Sequence, residues 1–313
     1  MRIVVIGGTG HVGSFMVPRL VELGHETIVV SRGAREPYVA SAAWQRVRRV
    51  TLDRAAADAD GEFGRQIAGL DADVVVDMIC FKPAEARSMV DALRGRVRHF
   101  LSCGTIWVYG HSVVVPATED QPRRPFGEYG VNKAAIENYL LGEARRSGFP
   151  ATVVHPGHIV GPGWMPVNPQ GNLNLDVFES LMHGREITLP NIGMETLHHV
   201  HAGDVAQVFL KAIGNWGEAV GEAFHAVSPA AVTLRGYAET VAGWFGQEAR
   251  LRFVPWDEFS RAVSDRDAAA TWDHIAHSPN CSIEKARRLL GYEPRYTSLE
   301  AIREAIEALP GAM

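Results

Sequence analysis

The stretch Arg2-Ile3-Val4-Val5-Ile6-Gly7-Gly8-Thr9-Gly10-His11-Val12-Gly13 decides the fold. A short run of β-branched residues reads as a buried strand, and an apolar helical period begins at Val12. Between them, Gly7, Gly10 and Gly13 mark a turn. Glycines at such a junction allow a tight bend and let the backbone approach a pyrophosphate. The start of the following helix offers unpaired N–H groups to its charge. Gly7, Thr9, Gly10, His11, Val12 and Gly13 are therefore the candidate dinucleotide contacts. The competing reading, a plain strand-to-helix turn with incidental glycines, is weakened by the turn's place inside a βαβ unit.

Outward from this turn, a helix is expected over Val12–Leu23, with Val12, Phe15, Met16, Leu20 and Leu23 on one face and Gly24 ending it. Pro18 falls inside it and predicts a local kink. Further strands are read at Thr27–Val30, Arg48–Leu52, Val74–Met78, His99–Cys103 and Thr152–His155. Alternation of strands and helices predicts an α/β fold, a doubly wound parallel-sheet Rossmann domain. It spans residues 1–155, with 200–228 returning to it. From Pro156 to Gly171 prolines and glycines crowd the chain, which marks entry into a smaller, mostly helical C-terminal substrate lobe over 156–199 and 229–313. Helices are expected at Leu175–His183, Gly203–Ile213, Leu234–Phe245, Trp256–Ser264, Ile283–Leu290 and Leu299–Ala308.

The second strand ends in Ser31-Arg32-Gly33, with Arg35 close by, where an Asp or Glu would grip the ribose hydroxyls of NAD. A carboxylate repels a 2′-phosphate and a guanidinium pairs with it, so Ser31 and Arg32 favour NADP, with NAD the alternative. Asp53, after the third strand, stands where it accepts from an adenine amino group or caps a loop.

Bulk properties restrict the partners. A hydrophobic fraction of 46%, a charged fraction of 21% and a formal charge of −5 describe a globular protein and give no support to nucleic-acid binding. The apolar runs fall short of a signal or membrane segment. The three cysteines (Cys80, Cys103 and Cys281) are widely spaced and suggest neither a disulfide framework nor a zinc site. The expectation is a cytoplasmic enzyme without membrane or nucleic-acid partners.

Tyr129-Gly130-Val131-Asn132-Lys133 opens an amphipathic segment. Spacing of four puts Tyr129 and Lys133 on one helical face, where an ammonium lowers the phenol's pKa toward the range of a general acid/base. Ser102-Cys103-Gly104-Thr105-Ile106-Trp107-Val108-Tyr109-Gly110, then Glu119-Asp120 and the Tyr129/Lys133 pair, resembles the extended short-chain dehydrogenase/reductase family, the NAD-dependent epimerase/dehydratase group. The GxxGxxG spacing of the first turn also follows that family. His155–Gly163 is similar to its RPxxxxGP segment, His201–Ala206 to its HVxDVA segment, and Ile283–Pro294 to its closing helix.

The resemblance implies Tyr129 as acid/base, Lys133 as the group that tunes it and holds the nicotinamide ribose, and Thr105 as the hydroxyl orienting the reacting alcohol. It adds Pro156 to the cofactor contacts and a homodimer packed through helices near Met89–Arg94 and Ala134–Arg145. Trp107, His158, Asn174 and His199 are the candidate substrate contacts. Trp107, Trp164, Trp244 and Trp256 are also weighed as a sugar-stacking wall against ordinary core packing.

The chain departs from the family in places. Ile106-Trp107 follows Thr105 where dehydratases carry an Asp-Glu pair. Thr196 stands where nucleotide-diphosphate binders carry an arginine. His155 and His158 replace the usual Arg and Asn. The histidines His155, His158, His198, His199 and His201 lack a compact ligand spacing, so no metal is assigned.

The expected activity is an NAD(P)-dependent epimerase or oxidoreductase acting at a secondary alcohol or ketone carbon of a sugar-like substrate, with or without a nucleotide. The alternatives are an NADPH-dependent reductase of a non-nucleotide small molecule and, from another class, a non-catalytic dinucleotide- or RNA-binding regulatory protein.

Overall fold

Every residue from Ile3 to Ile6 is fully buried in the computed structural model, which describes residues 1–308. A strand with no polar face belongs inside a sheet covered on both sides. Strand β1 (Arg2–Ile6) sits there, with β2 (Glu26–Ser31), β3 (Arg48–Thr51), β4 (Val74–Asp77), β5 (His99–Cys103), β6 (Ala151–Pro156) and β7 (Ala223–Ala226). All seven are parallel, in the order β7-β6-β5-β4-β1-β2-β3. Ile3 to Ile6 pair with Thr27 to Val30 on one side and with Val74 to Asp77 on the other. Strand order reverses between β1 and β4, the switch point outside which open α/β sheets bind ligands.

The pleat divides the strand residues between two cores. Ile3, Val5, Val76 and Leu101 pack with Val12, Met16 and Leu20 of α1 (His11–Glu22) and with Val205 and Phe209 from later in the chain. Val4, Ile6, Val75 and Phe100 pack on the opposite face with Met89 and Val90 and with Ile136 and Leu140. The helices concerned there are α3 (Pro83–Leu93) and α4 (Gly127–Ser147); the short α2 (Arg54–Ala59) precedes them. A further core gathers Phe178, Leu181, Leu189, Leu234, Tyr237, Val241, Ile275 and Ile302. Helices α5 (Ala202–Gly214), α6 (Asp265–His277) and α7 (Ser298–Glu307) complete the elements used below. Short strands His158–Val160 and His199–His201 pair in parallel, which sets His158 opposite His199.

The doubly wound sheet is as the alternating pattern predicts, and the observed strand limits lie within two residues of those expected. Two details differ, while Pro18 lies buried within α1, which runs on to Glu22. Leu23, assigned to the buried face of the first helix, is its C-cap and 67% exposed, while Val17 and Val21 take up the buried face. Helix α6 was not expected, although Ser264 caps it by accepting from Asp267 N and acidic residues occupy its first turn. The last residues of the expected second-lobe span, 309–313, lie outside the described residues.

Glu137 of helix α4 forms a buried ion pair with the loop before it and lies beside His155 of β6. Arg123 Nη2 lies 2.5 Å from Glu137 Oε1, and His155 Nε2 lies 3.4 Å from Glu137 Oε2, all but Arg123 nearly solvent-free. Burial pushes the Glu137 carboxyl up, but His155 and Arg123 outweigh it and hold it down at about 2. The share that Arg123 supplies is present at neutral pH and is lost as pH falls through about 2. Glu137→Gln leaves Arg123 without its counter-charge and should cost about 3 kcal/mol in urea denaturation; an unchanged midpoint would show that the pair adds nothing.

Candidate active site

The glycine turn is shaped by contact. Gly7 has φ +79°, its N–H donates to Val30 O at 2.8 Å, and Gly10 N donates to Gly7 O at 3.0 Å. A Cβ on Gly8 would come within 2.9 Å of Val29, and one on Gly13 would overlap the Gly8 carbonyl. The absence of side chains therefore lets α1 start against the end of β1. Gly10 caps α1 without a side-chain hydrogen bond, and the first turn carries no acid, so its N–H groups face no carboxylate of their own. A cleft of about 510 Å³ opens there, with Gly7, Thr9, Gly10, His11, Arg32 and Asp53 in its wall. This cradle fits a nicotinamide dinucleotide's pyrophosphate.

Ser31 also lines the cleft, and its Oγ accepts from Gly33 N at 3.3 Å. Arg32 is exposed and has no ion-pair partner among the described residues. Val12, Gly13 and Pro156 are not in the wall: Val12 packs into the core, Gly13 against Gly8, and Pro156 ends β6 in a buried position. Asp53 caps α2, its carboxylate accepting from Ala56 N at 3.2 Å, which is the loop-capping role that competed with adenine binding.

Sequence reasoning missed several wall residues, Arg54, Phe63, Ile79 and Phe81 among them. Arg54 is 6% exposed, its Nη1 lies 2.8 Å from both oxygens of Asp77, and its guanidinium stacks 4.8 Å over Phe63. An aspartate closing the apolar strand Val74–Asp77 was the available signal, since a buried carboxylate calls for a cation. Trp164, considered for a sugar-stacking wall, stacks instead on His11 at the cofactor cleft, 5.0 Å between centroids and 10° between planes.

The proposed reacting groups meet beyond the ends of β4 and β5. Thr105 caps the short turn Ile106–Tyr109 through Oγ1, which accepts from Trp107 N at 3.2 Å. Tyr129 and Lys133 lie one turn apart near the start of α4. Lys133 is 2% exposed, and its Nζ donates to Cys80 O at 2.8 Å and Cys103 O at 2.7 Å. It stands 5.8 Å from the centre of the Tyr129 ring.

Here the structure differs from the expectation of a lowered phenol. Burial, joined by the Cys103 thiol and opposed by the Thr105 hydroxyl, pushes Tyr129 up to about 12. The ammonium is committed to two carbonyls and does not offset this. Although 43% of the Tyr129 surface is open, the shift acts at the hydroxyl end, which faces Thr105.

Trp107, His158 and His199 come together beside Tyr129. The Trp107 ring is edge-on to Tyr129 at 5.9 Å and to His158 at 6.4 Å, and His158 meets His199 at 5.6 Å. The unexpected helix α6 adds His277, stacked on Trp107 at 4.3 Å, and His274, edge-on to His158 at 5.0 Å. Asn174 is not brought into this group. Its Oδ1 accepts from Asp176 N at 3.0 Å, and it lines a separate hollow with Ser264 and Arg266.

His198 is a satisfied core residue, with Nδ1 accepting from Cys281 N at 3.1 Å and Nε2 donating to Ser228 O at 2.9 Å. His201 caps α5 through Nδ1, and Thr196 Oγ1 bonds Ser278 and Pro279. Among the described residues, no group of three or more His, Cys, Asp or Glu side chains is arranged to hold a metal ion.

With this geometry in place, comparison with known proteins gives the family: residues 3–225 match the NAD dependent epimerase/dehydratase family, and the chain belongs to it. The resemblance read in the sequence is thus borne out, and the protein is an enzyme of the NAD-dependent epimerase/dehydratase type that works with a nicotinamide dinucleotide. It is 26% identical over 321 residues to the chloroplast stem-loop binding protein of 41 kDa b of Arabidopsis thaliana, covering 97% of this chain and 78% of that one. It is 26% identical over 280 residues to 2'-dehydrokanamycin reductase of Streptomyces kanamyceticus, covering 88% and 76%. The fold matches a crystal structure of UDP-glucose 4-epimerase from Thermotoga maritima with a TM-score of 0.73 at 21% identity, over 98% of each chain. No helix among the described residues is long and apolar enough to cross a membrane.

The phenol's position yields a direct check. In the dinucleotide-free protein, tyrosinate absorbance of the parent and of Tyr129→Phe should rise in parallel between about pH 8 and about pH 11. A step near 10 or below that the variant lacks would place the Tyr129 pKa at or under its ordinary value.

Proposed function

We propose that this protein is an NAD(P)-dependent epimerase or oxidoreductase acting at a secondary alcohol or ketone carbon of a sugar-like substrate, with Tyr129 as the proton donor and acceptor. The observation that carries the reading is the approach of Thr105, Tyr129 and Lys133 beyond the ends of β4 and β5, in the same fold as an uncapped helix start at the end of β1. When bound, the dinucleotide supplies or accepts the hydride. The residues in the cleft wall, Gly7, Thr9, Gly10 and His11, would hold its pyrophosphate, and Lys133 its nicotinamide ribose.

At neutral pH a phenol raised to about 12 is fully protonated. It is therefore set to give its proton to a carbonyl oxygen as that oxygen gains charge. Thr105 offers the same oxygen a second hydrogen bond and limits its orientation. In the reverse direction, Tyr129 has to receive a proton, and the Lys133 ammonium is the nearest cation able to support the phenolate.

We assign NADP as the preferred cofactor, supported by the exposed, unpaired Arg32 and by the lack of a carboxylate between Ser31 and Gly33. The substrate lobe is assigned to 156–199 and 229–313, supported by the separate core around Phe178 and Tyr237. A cytoplasmic homodimer completes the reading, supported by three unpaired thiols and by the family.

The reductase named among the relatives favours reduction of a non-nucleotide substrate as the second reading. The Arabidopsis relative's name raises nucleic-acid binding, which the net charge of −5 opposes.

Tyr129→Phe should retain the circular dichroism of the parent and lose about a hundredfold or more of turnover; turnover within a few-fold of the parent would refute the role. Arg32→Ala should weaken NADPH binding about tenfold and leave NADH binding unchanged, as measured by fluorescence titration. Equal losses for both cofactors would place Arg32 away from the 2′-phosphate.

A further inference from the structure

Three ring nitrogens in the histidine cluster beside Trp107 are buried without a partner: His158 Nε2, His199 Nδ1 and His277 Nε2. A buried polar atom left unpaired is unfavourable, so three in one ring cluster next to Tyr129 point to a ligand that pairs with them.

The other nitrogen of each ring fixes what these three atoms offer. His199 Nε2 lies 3.1 Å from the Val167 carbonyl, and His277 Nδ1 lies 2.6 Å from the Asp273 carbonyl. A carbonyl only accepts, so each of those nitrogens carries the hydrogen. The free nitrogens, His199 Nδ1 and His277 Nε2, are consequently lone-pair acceptors. His158 is the reverse case. Its Nδ1 accepts from the His198 N–H at 3.2 Å, so its free Nε2 carries a hydrogen and donates.

The rings are neutral at ordinary pH. Burial lowers all three, His199 to about 3 and His277 to about 4, and His158 falls well below the usual imidazole range under burial and the neighbouring histidines. The groups acting most strongly on these rings and on His274 are one another, His111, His198, Asp273 and the backbone carbonyls; no lysine or arginine is among them.

We propose that these imidazoles form the substrate-recognition wall, with two acceptors (His199 Nδ1 and His277 Nε2) and one donor (His158 Nε2), and that the substrate is an uncharged, hydroxyl-rich ring ketone or alcohol without phosphate or carboxylate. Hydroxyl groups both donate and accept, which satisfies all three atoms. A phosphate or carboxylate brings lone pairs to two lone pairs and meets no cation in return. This inference rests on the functional reading above, because the wall matters only if the substrate sits beside Tyr129.

The test uses NADPH-loaded protein, titrated calorimetrically with 2-keto-myo-inositol as the uncharged probe and with UDP-glucose as the anionic one. The ketone should bind and be reduced, and UDP-glucose should give no heat at millimolar concentration. His277→Phe preserves the ring stack and should weaken ketone binding about tenfold, with His158→Phe showing a similar loss. Independently of any substrate, long-range proton–nitrogen NMR at neutral pH should show hydrogen on Nδ1 of His277 and on Nε2 of His158 and His199.

Tighter binding of UDP-glucose than of the ketone, no ketone binding, unchanged affinity in both variants, or imidazolium signals from these rings would each overturn the proposal. Tyr129→Phe keeps the two levels apart. Loss of reduction with ketone affinity intact supports both, whereas full reduction by that variant refutes the functional reading and leaves the recognition result standing.

Discussion

Helix α1 meets β1 with no side chain between Gly13 and Gly8, and most of the cofactor side of the molecule depends on that contact. A methyl group at Gly13 would push the helix away from the strand end. The uncapped N–H groups would then no longer open into the cleft at the switch point between β1 and β4. The same closeness brings His11, the first residue of α1, under Trp164. One steric condition therefore sets the anion cradle and also joins the glycine turn to a loop of the second half of the chain.

Charge arrangements around the sheet follow a common rule. Buried carboxylates at Asp77 and Glu137 each hold an arginine, Arg54 and Arg123, and each pair ties neighbouring elements together without entering the reacting group. Lys133 is the exception. Its ammonium donates to two backbone carbonyls and, among the described residues, has no carboxylate partner.

Legibility in the sequence tracked how local the governing interaction was. The fully apolar run Ile3–Ile6, the glycine spacing after it and the four-residue separation of Tyr129 and Lys133 depend on neighbours in the chain, and each was readable. The Arg54–Asp77 pair and the commitment of Lys133 to Cys80 and Cys103 depend on which strands lie side by side. Composition near each residue carries little of that. Helix α6 was missed for a different reason. Its stretch Asp265–Ala270 lacks an apolar period, although the Ser264 cap and the acidic first turn were local signals in plain view. Missing it meant that His274 and His277, which complete the group around Trp107, were not foreseen.

That group is divided between two kinds of scaffold. Thr105 and Tyr129 sit directly after β5 and at the head of α4, both embedded in the main sheet. His274 and His277 ride on α6, which pairs with no strand of that sheet and is anchored through Ile275 in the other core. Residues on α6 can therefore change over evolutionary time without disturbing the backbone that positions Thr105 and Tyr129. A lineage can exchange one set of ring partners for another and inherit the sheet side of the site intact.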